Sequence, residues 1–286
     1  MIKQLSIIGV GLIGGSLALA LRQAGYCRRI IGIGRSAERL QAACKARVID
    51  EGTTDYAAGL ADADMVLVAV PLNSYVESFR QIKGKVRSDA VITDVGSAKA
   101  CVIEDAARVF GKVPQNFVPG HPIAGTEKSG FEAAFAELYR KRRVVLTPTA
   151  TTSSRAVDAV AAMWQAAGAQ VEITDAAHHD RVLASTSHLP HILAFGLVGS
   201  LARESDVEEI FRFAAGGFRD FTRIAASDPA VWRDICLRNK EALLQALRHY
   251  REDLDALEQA IVTGDAASLM EIFTRAKTAR DKFSFN

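Results

Sequence analysis

Gly9-Val10-Gly11-Leu12-Ile13-Gly14 is the stretch of sequence that decides the fold. It ends an apolar run at residues 5–10 that is typical of a buried strand, and it precedes a helical pattern at residues 16–24. Between a strand and a helix, G-x-G-x-x-G is a dinucleotide-binding fingerprint. Its first glycine permits a tight turn, the second lets the backbone approach a pyrophosphate, and the third lets the helix pack on the strand. The sequence therefore predicts a dinucleotide-binding α/β fold.

Strand and helix patterns alternate beyond this turn. The further candidate strands are residues 30–33, 65–70, 90–95, 117–119, 144–147 and 171–173, and the clearest helical patterns between them are residues 37–46 and 155–167. Such alternation requires right-handed crossovers. It predicts a doubly wound, mostly parallel, Rossmann-type sheet over residues 1–174.

The strand signal stops near residue 175. An apolar stripe with helical spacing follows, formed by Leu243, Leu247, Tyr250, Leu254, Leu257 and Ile261. A second helical pattern, with Leu269, Ile272, Phe273 and Ala276, follows a break at Thr263-Gly264-Asp265. Residues 1–174 carry 21 basic and 16 acidic side chains, whereas residues 175–286 carry 14 and 17. We therefore predict a second, all-α domain over residues 175–286.

Composition narrows the class of protein. A formal net charge of +2 over 286 residues is too small for a general grip on nucleic acid or an anionic membrane, so neither is expected as a partner. Four cysteines without close pairing indicate reduced thiols and a cytoplasmic location. The uncharged residues 5–21 could pass for a signal peptide or membrane anchor, but their four glycines fit a strand, a turn and a helix better.

The end of the second strand bears on the choice of cofactor. An acidic residue there would bind the adenosine ribose of NAD, but this chain has Gly34, Arg35 and Ser36, which suit a 2′-phosphate. We therefore expect NADP to be preferred, with binding of NAD through other contacts as the alternative. The predicted cofactor-binding residues are Gly9, Gly11, Leu12, Ile13, Gly14, Gly34, Arg35, Ser36, Val70 and Pro71.

Two loops after strands carry chemically useful side chains. Asp94-Val95-Gly96-Ser97-Ala98-Lys99 follows one strand, and residues 120–130, beginning Gly120-His121-Pro122, follow the next. Both loops should open at the carboxyl edge of the sheet, where a dinucleotide lies. In the helical half, the comparable segments are His179-Asp180, Ser187-His188-Leu189-Pro190-His191, residues 216–225 and Trp232-Arg233-Asp234.

This set of segments closely resembles the prephenate and arogenate dehydrogenases of tyrosine biosynthesis. The resemblance runs from the glycine turn to Asn239-Lys240-Glu241 and so covers most of the chain. It implies a homodimeric enzyme that oxidises a cyclohexadienol, so that the opposite ring carboxylate leaves as carbon dioxide and an aromatic product forms. Whether the substrate is prephenate or arogenate stays open.

The resemblance also implies roles for individual residues. His121 matches the catalytic general base, Ser97 the serine that orients it or the substrate hydroxyl, and Arg223 the arginine that binds a substrate carboxylate. The remaining matches around the substrate are His191, His188, His179, Thr126 and Glu127. His188 and His179 could instead be core histidines, and Glu127 could cap a helix at residues 128–138. No metal site is expected, because Pro190 interrupts the His188/His191 pair and no acidic ligand is near.

Two other classes of protein compete with this interpretation. A hydroxy-acid or sugar-acid dehydrogenase also joins a dinucleotide domain to a helical one, but it would call for a catalytic lysine in the second domain. A non-catalytic dinucleotide-binding sensor would have no need for His121, Ser97 and Arg223 together.

Overall fold

A computed structural model describes residues 1–282 of the chain and contains the expected Rossmann-type sheet. The sheet has six parallel strands in the order β3-β2-β1-β4-β5-β6. Its strands are β1 (Ile2–Ile8), β2 (Cys27–Ile33), β3 (Glu51–Thr53), β4 (Met65–Val68), β5 (Val91–Asp94) and β6 (Phe117–Val118). The order reverses between β1 and β4, and the carboxyl ends at this point form the crevice where dinucleotides bind in such folds.

Helices cover both faces of this sheet. They are α1 (Leu12–Gln23), α2 (Ala37–Lys45), α3 (Tyr56–Leu60), α4 (Tyr75–Ile82), α5 (Ala100–Phe110) and α6 (Ser154–Ala166). Alternate residues of β1 enter different cores: Leu5 and Ile7 pack with α1 and α6, whereas Ile8 packs with α4 and α5. Burial on both faces explains why the strands are continuously apolar. Residues 5–21 form β1, the glycine turn and α1, as predicted.

The last strands differ from the prediction, because they form a separate sheet. β7 (Gly120–Pro122), β8 (Arg143–Leu146) and β9 (Gln170–Ile173) pair in that order, with β7 antiparallel to β8. Pro119 has no N–H to donate, so β6 ends at Val118 and the chain enters the second sheet at Gly120. His121 therefore lies on a strand and not in a loop, opposite Val145 of β8.

Residues beyond 175 are helical, as predicted. The helices are α7 (Ala176–Leu183), α8 (Leu189–Leu201), α9 (Val207–Arg212), α10 (Gly216–Thr222), α11 (Pro229–Arg238), α12 (Lys240–Thr263) and α13 (Ala266–Lys282). Gly264, with a φ of +66°, separates the last two at the expected break. The chain divides by its internal contacts into two compact units, Met1–Lys240 and Glu241–Asn286. The helices up to α11 therefore belong to the same unit as the sheets.

One helical run is unusually apolar. Ala176–Leu201, which joins α7 and α8 through a π-helical turn at Ala184–His188, is long and apolar enough to cross a membrane by length and composition alone. Core helices of soluble proteins can meet the same test. Of the α8 residues, only Ala194 is buried within the single chain, although α8 is apolar on all sides.

Candidate active site

The glycine turn has the shape that a dinucleotide requires. Gly9 adopts a φ of +93°, and a Cβ there would lie 2.3 Å from the carbonyl oxygen of Ala69. A Cβ on Gly14 would lie 2.7 Å from the carbonyl oxygen of Gly9, so this position is closed by packing. Gly11 faces open space, with nothing within 4 Å of an added Cβ. The open glycine lies between the two closed ones, which leaves room for a pyrophosphate at the start of α1.

The other predicted cofactor residues surround this turn. Val70 contacts Gly9, Pro71 is exposed after β4, and Leu12 is buried in the core, so only its backbone can serve a ligand. The Ile13 carbonyl oxygen accepts a 2.6 Å hydrogen bond from the Tyr139 hydroxyl, which anchors the start of α1.

The end of β2 is open to solvent. Arg35 and Ser36 are exposed, and the Ser36 hydroxyl caps α2 by accepting a hydrogen bond from the Arg39 N–H at 3.2 Å. Gly34 is half-buried, and an added Cβ would meet only the Leu40 side chain at ordinary contact distances of 3.5 Å or more. This position could therefore hold a larger residue without strain.

A buried ion pair lies at the carboxyl end of β5. The Lys99 ammonium lies 2.5 Å from Asp94 Oδ2, and both side chains are 0% exposed. Lys99 also donates to the Gly120 carbonyl at 2.7 Å, while Asp94 accepts from the N–H groups of Gly96 at 2.7 Å and Gly120 at 3.0 Å. The pair thus ties the segment that bears Ser97 to the strand that bears His121. Ser97 is half-buried, and among residues 1–282 its hydroxyl has no hydrogen-bond partner.

His121 heads a chain of hydrogen bonds. Its Nδ1 lies 2.9 Å from Nε2 of His179, and Nδ1 of His179 lies 2.7 Å from Oδ1 of Asp180. His179 is only 1% exposed, so the structure places this predicted substrate residue behind His121. Burial, followed by the electrostatic effect of His179 and Lys99, holds the His121 pKa well below its ordinary value of 6.5. His121 is therefore neutral near pH 7 and able to accept a proton.

His188 is held as a hydrogen-bond donor. The Asn239 amide nitrogen donates to the Asp180 carbonyl at 2.9 Å and lies 3.1 Å from Nδ1 of His188. Because Nδ1 accepts, the ring proton resides on Nε2, which is buried and has no partner among the described residues. Burial lowers the His188 pKa to about 4, so the ring stays neutral. His188 lies on the π-helical turn, a feature frequent at functional sites.

His191 is half-buried, and Arg223 is exposed. The His191 ring stacks on Trp232 with centroids 3.6 Å apart, and its Nδ1 donates to the Ser187 carbonyl at 2.8 Å. Burial, with the nearby positive charge of Arg223, lowers the His191 pKa. The Arg223 side chain is 64% exposed, and its one carboxylate partner among residues 1–282 is Glu127, at 3.7 Å. The remaining guanidinium donors could bind the carboxylate of a ligand.

The structure around Glu127 differs from the alternative in which Glu127 caps a helix at residues 128–138. The helix predicted at residues 128–138 is absent, and only a 3-10 turn, Phe131–Ala133, forms there. Gly130, with a φ of +89°, has a left-handed conformation that a helix cannot contain. The capping interpretation of Glu127 is therefore wrong. Thr126 is exposed, and its hydroxyl accepts from the Lys128 N–H at 3.2 Å.

Several residues of the site were not singled out from the sequence. In the sequence, Asp94 and Lys99 stand out only as part of a motif, Asp180 only beside a histidine, and Asn239 and Trp232 only in segments that carry the resemblance. A lysine shortly after a strand-terminal aspartate was the available signal, since such charges are almost never buried unless they are paired. No comparable signal in the sequence pairs Asn239 with His188.

Comparisons with known proteins match both halves of the chain to one family. Residues 17–173 match the family model described as prephenate dehydrogenase, nucleotide-binding domain, and residues 175–275 match prephenate dehydrogenase, dimerization domain. A cyclohexadienyl dehydrogenase of Zymomonas mobilis is 38% identical over 97% of this chain and 95% of its own length.

Solved structures are similarly close. A prephenate dehydrogenase from A. aeolicus, in complex with hydroxyphenyl propionate and NAD+, has a TM-score of 0.92 and 36% identity, covering 99% of each chain. Synechocystis arogenate dehydrogenase has a TM-score of 0.83 and 28% identity, covering 99% of this chain and all of its own.

Proposed function

The chain belongs to the prephenate dehydrogenase family, and from that premise we propose that it catalyses the oxidative decarboxylation of a cyclohexadienyl acid, prephenate or arogenate. The observation that carries this proposal is the neutral imidazole of His121, on a strand that is hydrogen-bonded through the Gly120 N–H to Asp94 at the carboxyl end of β5. The two compounds give 4-hydroxyphenylpyruvate and L-tyrosine respectively. The match of both halves of the chain favours this function over a sugar-acid dehydrogenase or a sensor.

The residues present divide the reaction between them. A nicotinamide cofactor, bound at the glycine turn of Gly9, Gly11 and Gly14, would supply the hydride acceptor for the ring carbon that bears the hydroxyl group. His121 removes the hydroxyl proton through Nε2, and the Ser97 hydroxyl positions the substrate oxygen. As the carbonyl forms, the bond to the opposite carboxylate breaks, and its electrons complete the aromatic ring. The phenolate oxygen then takes up a proton, which His121 is placed to return.

The substrate carboxylates require positive or donor groups. We assign the Arg223 guanidinium to one carboxylate, because its only charged partner among residues 1–282 is the exposed Glu127. The unpaired Nε2–H of His188 and the His191 ring are assigned to the rest of the substrate. Thr126 and Glu127 lie on the exposed segment that borders this space.

A matrix of four specificity constants tests the function. Prephenate and arogenate are each paired with NAD and NADP, and kcat/KM is measured for every combination. We expect turnover with at least one pair. For a given cofactor the larger kcat/KM identifies the preferred substrate, and for a given substrate it identifies the preferred cofactor. Absence of turnover with both substrates and both cofactors would refute the proposal.

His121→Asn tests the base. Because general-base catalysis typically contributes about 10²–10⁴-fold, kcat should fall by a factor in that range. His249→Asn is a control, since that exposed histidine lies on α12 in the other compact unit. Normal turnover by His121→Asn would remove His121 from this role.

We further propose that NADP is preferred over NAD. The support is the glycine at position 34, where an acidic residue would repel a 2′-phosphate, together with the exposed Arg35 and the capping Ser36 at the start of α2. Arg35→Ala should lower kcat/KM for NADP by about 10–100-fold, since hydrogen bonds between charged groups contribute about 1.5–3 kcal/mol. Its value for NAD should change little.

Two variants complete this test. Gly34→Asp should move the ratio of the two constants toward NAD, and its fold should be unaffected because the added Cβ has room. Arg28→Ala is the matched control, an exposed arginine at the opposite end of the same strand. An unchanged NADP-to-NAD ratio in both Arg35→Ala and Gly34→Asp would refute the preference.

We also propose a cytoplasmic homodimer, with residues 1–174 binding the cofactor and residues 175–286 the substrate and the second copy. The support is the apolar helix α8, of whose residues only Ala194 is fully buried in a single chain. Apolar residues are also exposed on α12 and α13, including Ile261 and Phe273. The four cysteines are free, as a reducing compartment requires. Light scattering should give twice the chain mass of 30.8 kDa.

A further inference from the structure

We propose that His179 and Asp180 form a positioning dyad that fixes the tautomer of His121, an inference that rests on the proposed role of His121 as general base. Neither residue needs to touch the substrate for this function. The dyad is defined by two contacts, His121 Nδ1 to His179 Nε2 at 2.9 Å and His179 Nδ1 to Asp180 Oδ1 at 2.7 Å.

The direction of these hydrogen bonds follows from Asp180. An ionised carboxylate only accepts hydrogen bonds. Burial alone would raise the Asp180 pKa, but hydrogen bonds from His179 and from the N–H groups of Lys99 and Ala100 hold it below the ordinary value. The carboxylate is therefore charged near neutral pH, and His179 Nδ1 must donate to it. His179 Nε2 then carries a lone pair and accepts from His121 Nδ1–H.

These hydrogen bonds determine which nitrogen of His121 carries the lone pair. In a neutral imidazole only one nitrogen carries a proton. With the proton on Nδ1, the lone pair of His121 is on Nε2, which is the nitrogen assigned to proton removal. When Nε2 accepts the substrate proton, the positive charge of the ring is stabilised through His179 by the Asp180 carboxylate.

Asp180 is itself held in place by the backbone. The N–H of Lys99 donates to Oδ1 at 2.8 Å and that of Ala100 to Oδ2 at 2.9 Å, at the start of α5. A helix N-terminus favours a negative charge. These residues directly follow Ser97 and Ala98, so the same carboxylate fixes the segment of Ser97 and the ring of His121. The dyad therefore aligns two catalytic groups together.

The neighbouring residue provides a matched control. His178 precedes His179 on α7 but is exposed, and its ring contacts Arg181 at 2.7 Å. His178→Asn should leave kcat and KM unchanged. His179→Asn places no acceptor within reach of His121 Nδ1, so kcat should fall about 10–100-fold, with the KM of the substrate within about threefold of wild type.

A conservative variant separates positioning from packing. The longer side chain of His179→Gln can present its amide oxygen near the position of Nε2, so it should recover at least half of the lost kcat on a logarithmic scale. Asp180→Asn removes the charge at nearly constant volume and should also lower kcat without raising KM. Equal losses in His179→Gln and His179→Asn would overturn the proposal, as would wild-type kcat in His179→Asn.

A direct readout needs no variant of the dyad. In wild-type protein with ¹⁵N-labelled histidine and no substrate, nitrogen spectra distinguish protonated from unprotonated ring nitrogens. His121→Asn and His178→Asn assign the signals among the six histidines. We expect His121 to be protonated on Nδ1 and unprotonated on Nε2 at pH 7. The opposite tautomer would overturn the dyad even if His121 is the base, whereas normal turnover by His121→Asn would count only against the proposed base.

Discussion

Lys99→Met is expected to destabilise the fold strongly, because it removes one partner of a fully buried ion pair. Lys99 and Asp94 are both 0% exposed, and their charged atoms lie 2.5 Å apart. Methionine is close to lysine in length and shape, so little volume is lost. The perturbation is therefore chiefly electrostatic, and it leaves a buried carboxylate without its cation.

The magnitude follows from the partners that remain. Breaking a buried pair in this way typically costs about 3–5 kcal/mol. Three donors would still reach Asp94: the N–H groups of Gly96 and Gly120, and the Tyr75 hydroxyl at 2.9 Å. They favour the lower part of that range. The carbonyl oxygen of Gly120 also loses the ammonium that donates to it at 2.7 Å, which adds about 1 kcal/mol. We therefore expect a loss of about 4 kcal/mol in the free energy of unfolding.

Urea denaturation followed by circular dichroism measures this loss. All proteins must be compared at one concentration, since association would add to stability. Lys112→Met, at an exposed position after α5, is the control and should change stability by less than about 0.5 kcal/mol. The double variant Asp94→Asn with Lys99→Met should lose less than the sum of the single variants, because no unpaired charge is left. A loss below about 1 kcal/mol for Lys99→Met, or strict additivity in the double variant, would refute the reasoning.

Three further expectations follow from the site. First, kcat/KM should show no loss of activity between pH 7.5 and 6.5, because the His121 pKa lies well below 6.5 and the base is protonated only as the pH falls through it; a midpoint of inactivation above 6.5 would contradict this. Second, Arg223→Ala should raise KM about 10–100-fold with kcat within about threefold, whereas Arg155→Ala, at an exposed position on α6, should change neither. Third, Gly11→Ala should weaken cofactor binding in fluorescence titrations without lowering the melting temperature. Gly9→Ala should lower that temperature, because its Cβ would meet the Ala69 carbonyl oxygen at 2.3 Å; equal melting temperatures would contradict the contrast.

Much of the fold could be predicted from the sequence because its signals are local. Continuous apolar strands bounded by glycine and proline, and an i, i+3, i+4 stripe such as that of α12, depend on residues close in the chain. Assigning β7 to a second sheet depended on which distant strand pairs with it. His121 pairs opposite Val145, and nothing near position 121 indicates that partner.

The candidate site could be predicted in part for the same reason. Gly9, Gly11 and Gly14 have roles that follow from their spacing. In the structure, neighbouring atoms leave no room for a side chain at Gly9 and Gly14, whereas Gly11 faces open space. The difference between His178 and His179 could not be predicted. They are adjacent on one helix, yet His178 is exposed and His179 is 1% exposed, because only His179 faces His121 on β7.

The buried carboxylates of Asp94 and Asp180 have complementary effects on His121, and together they account for its ability to act as a base. Asp94 is paired directly with the Lys99 ammonium, so that cation is largely neutralised, and its remaining effect is to lower the His121 pKa. Asp180 has no such cation among residues 1–282 and is held by backbone N–H groups and by His179. Its charge is therefore available to the imidazole chain. Burial keeps His121 neutral before the reaction, and Asp180 favours the cation once the substrate proton arrives. A base of this kind needs both carboxylates, one to neutralise the lysine that joins the two segments and one to stabilise the charge that catalysis creates.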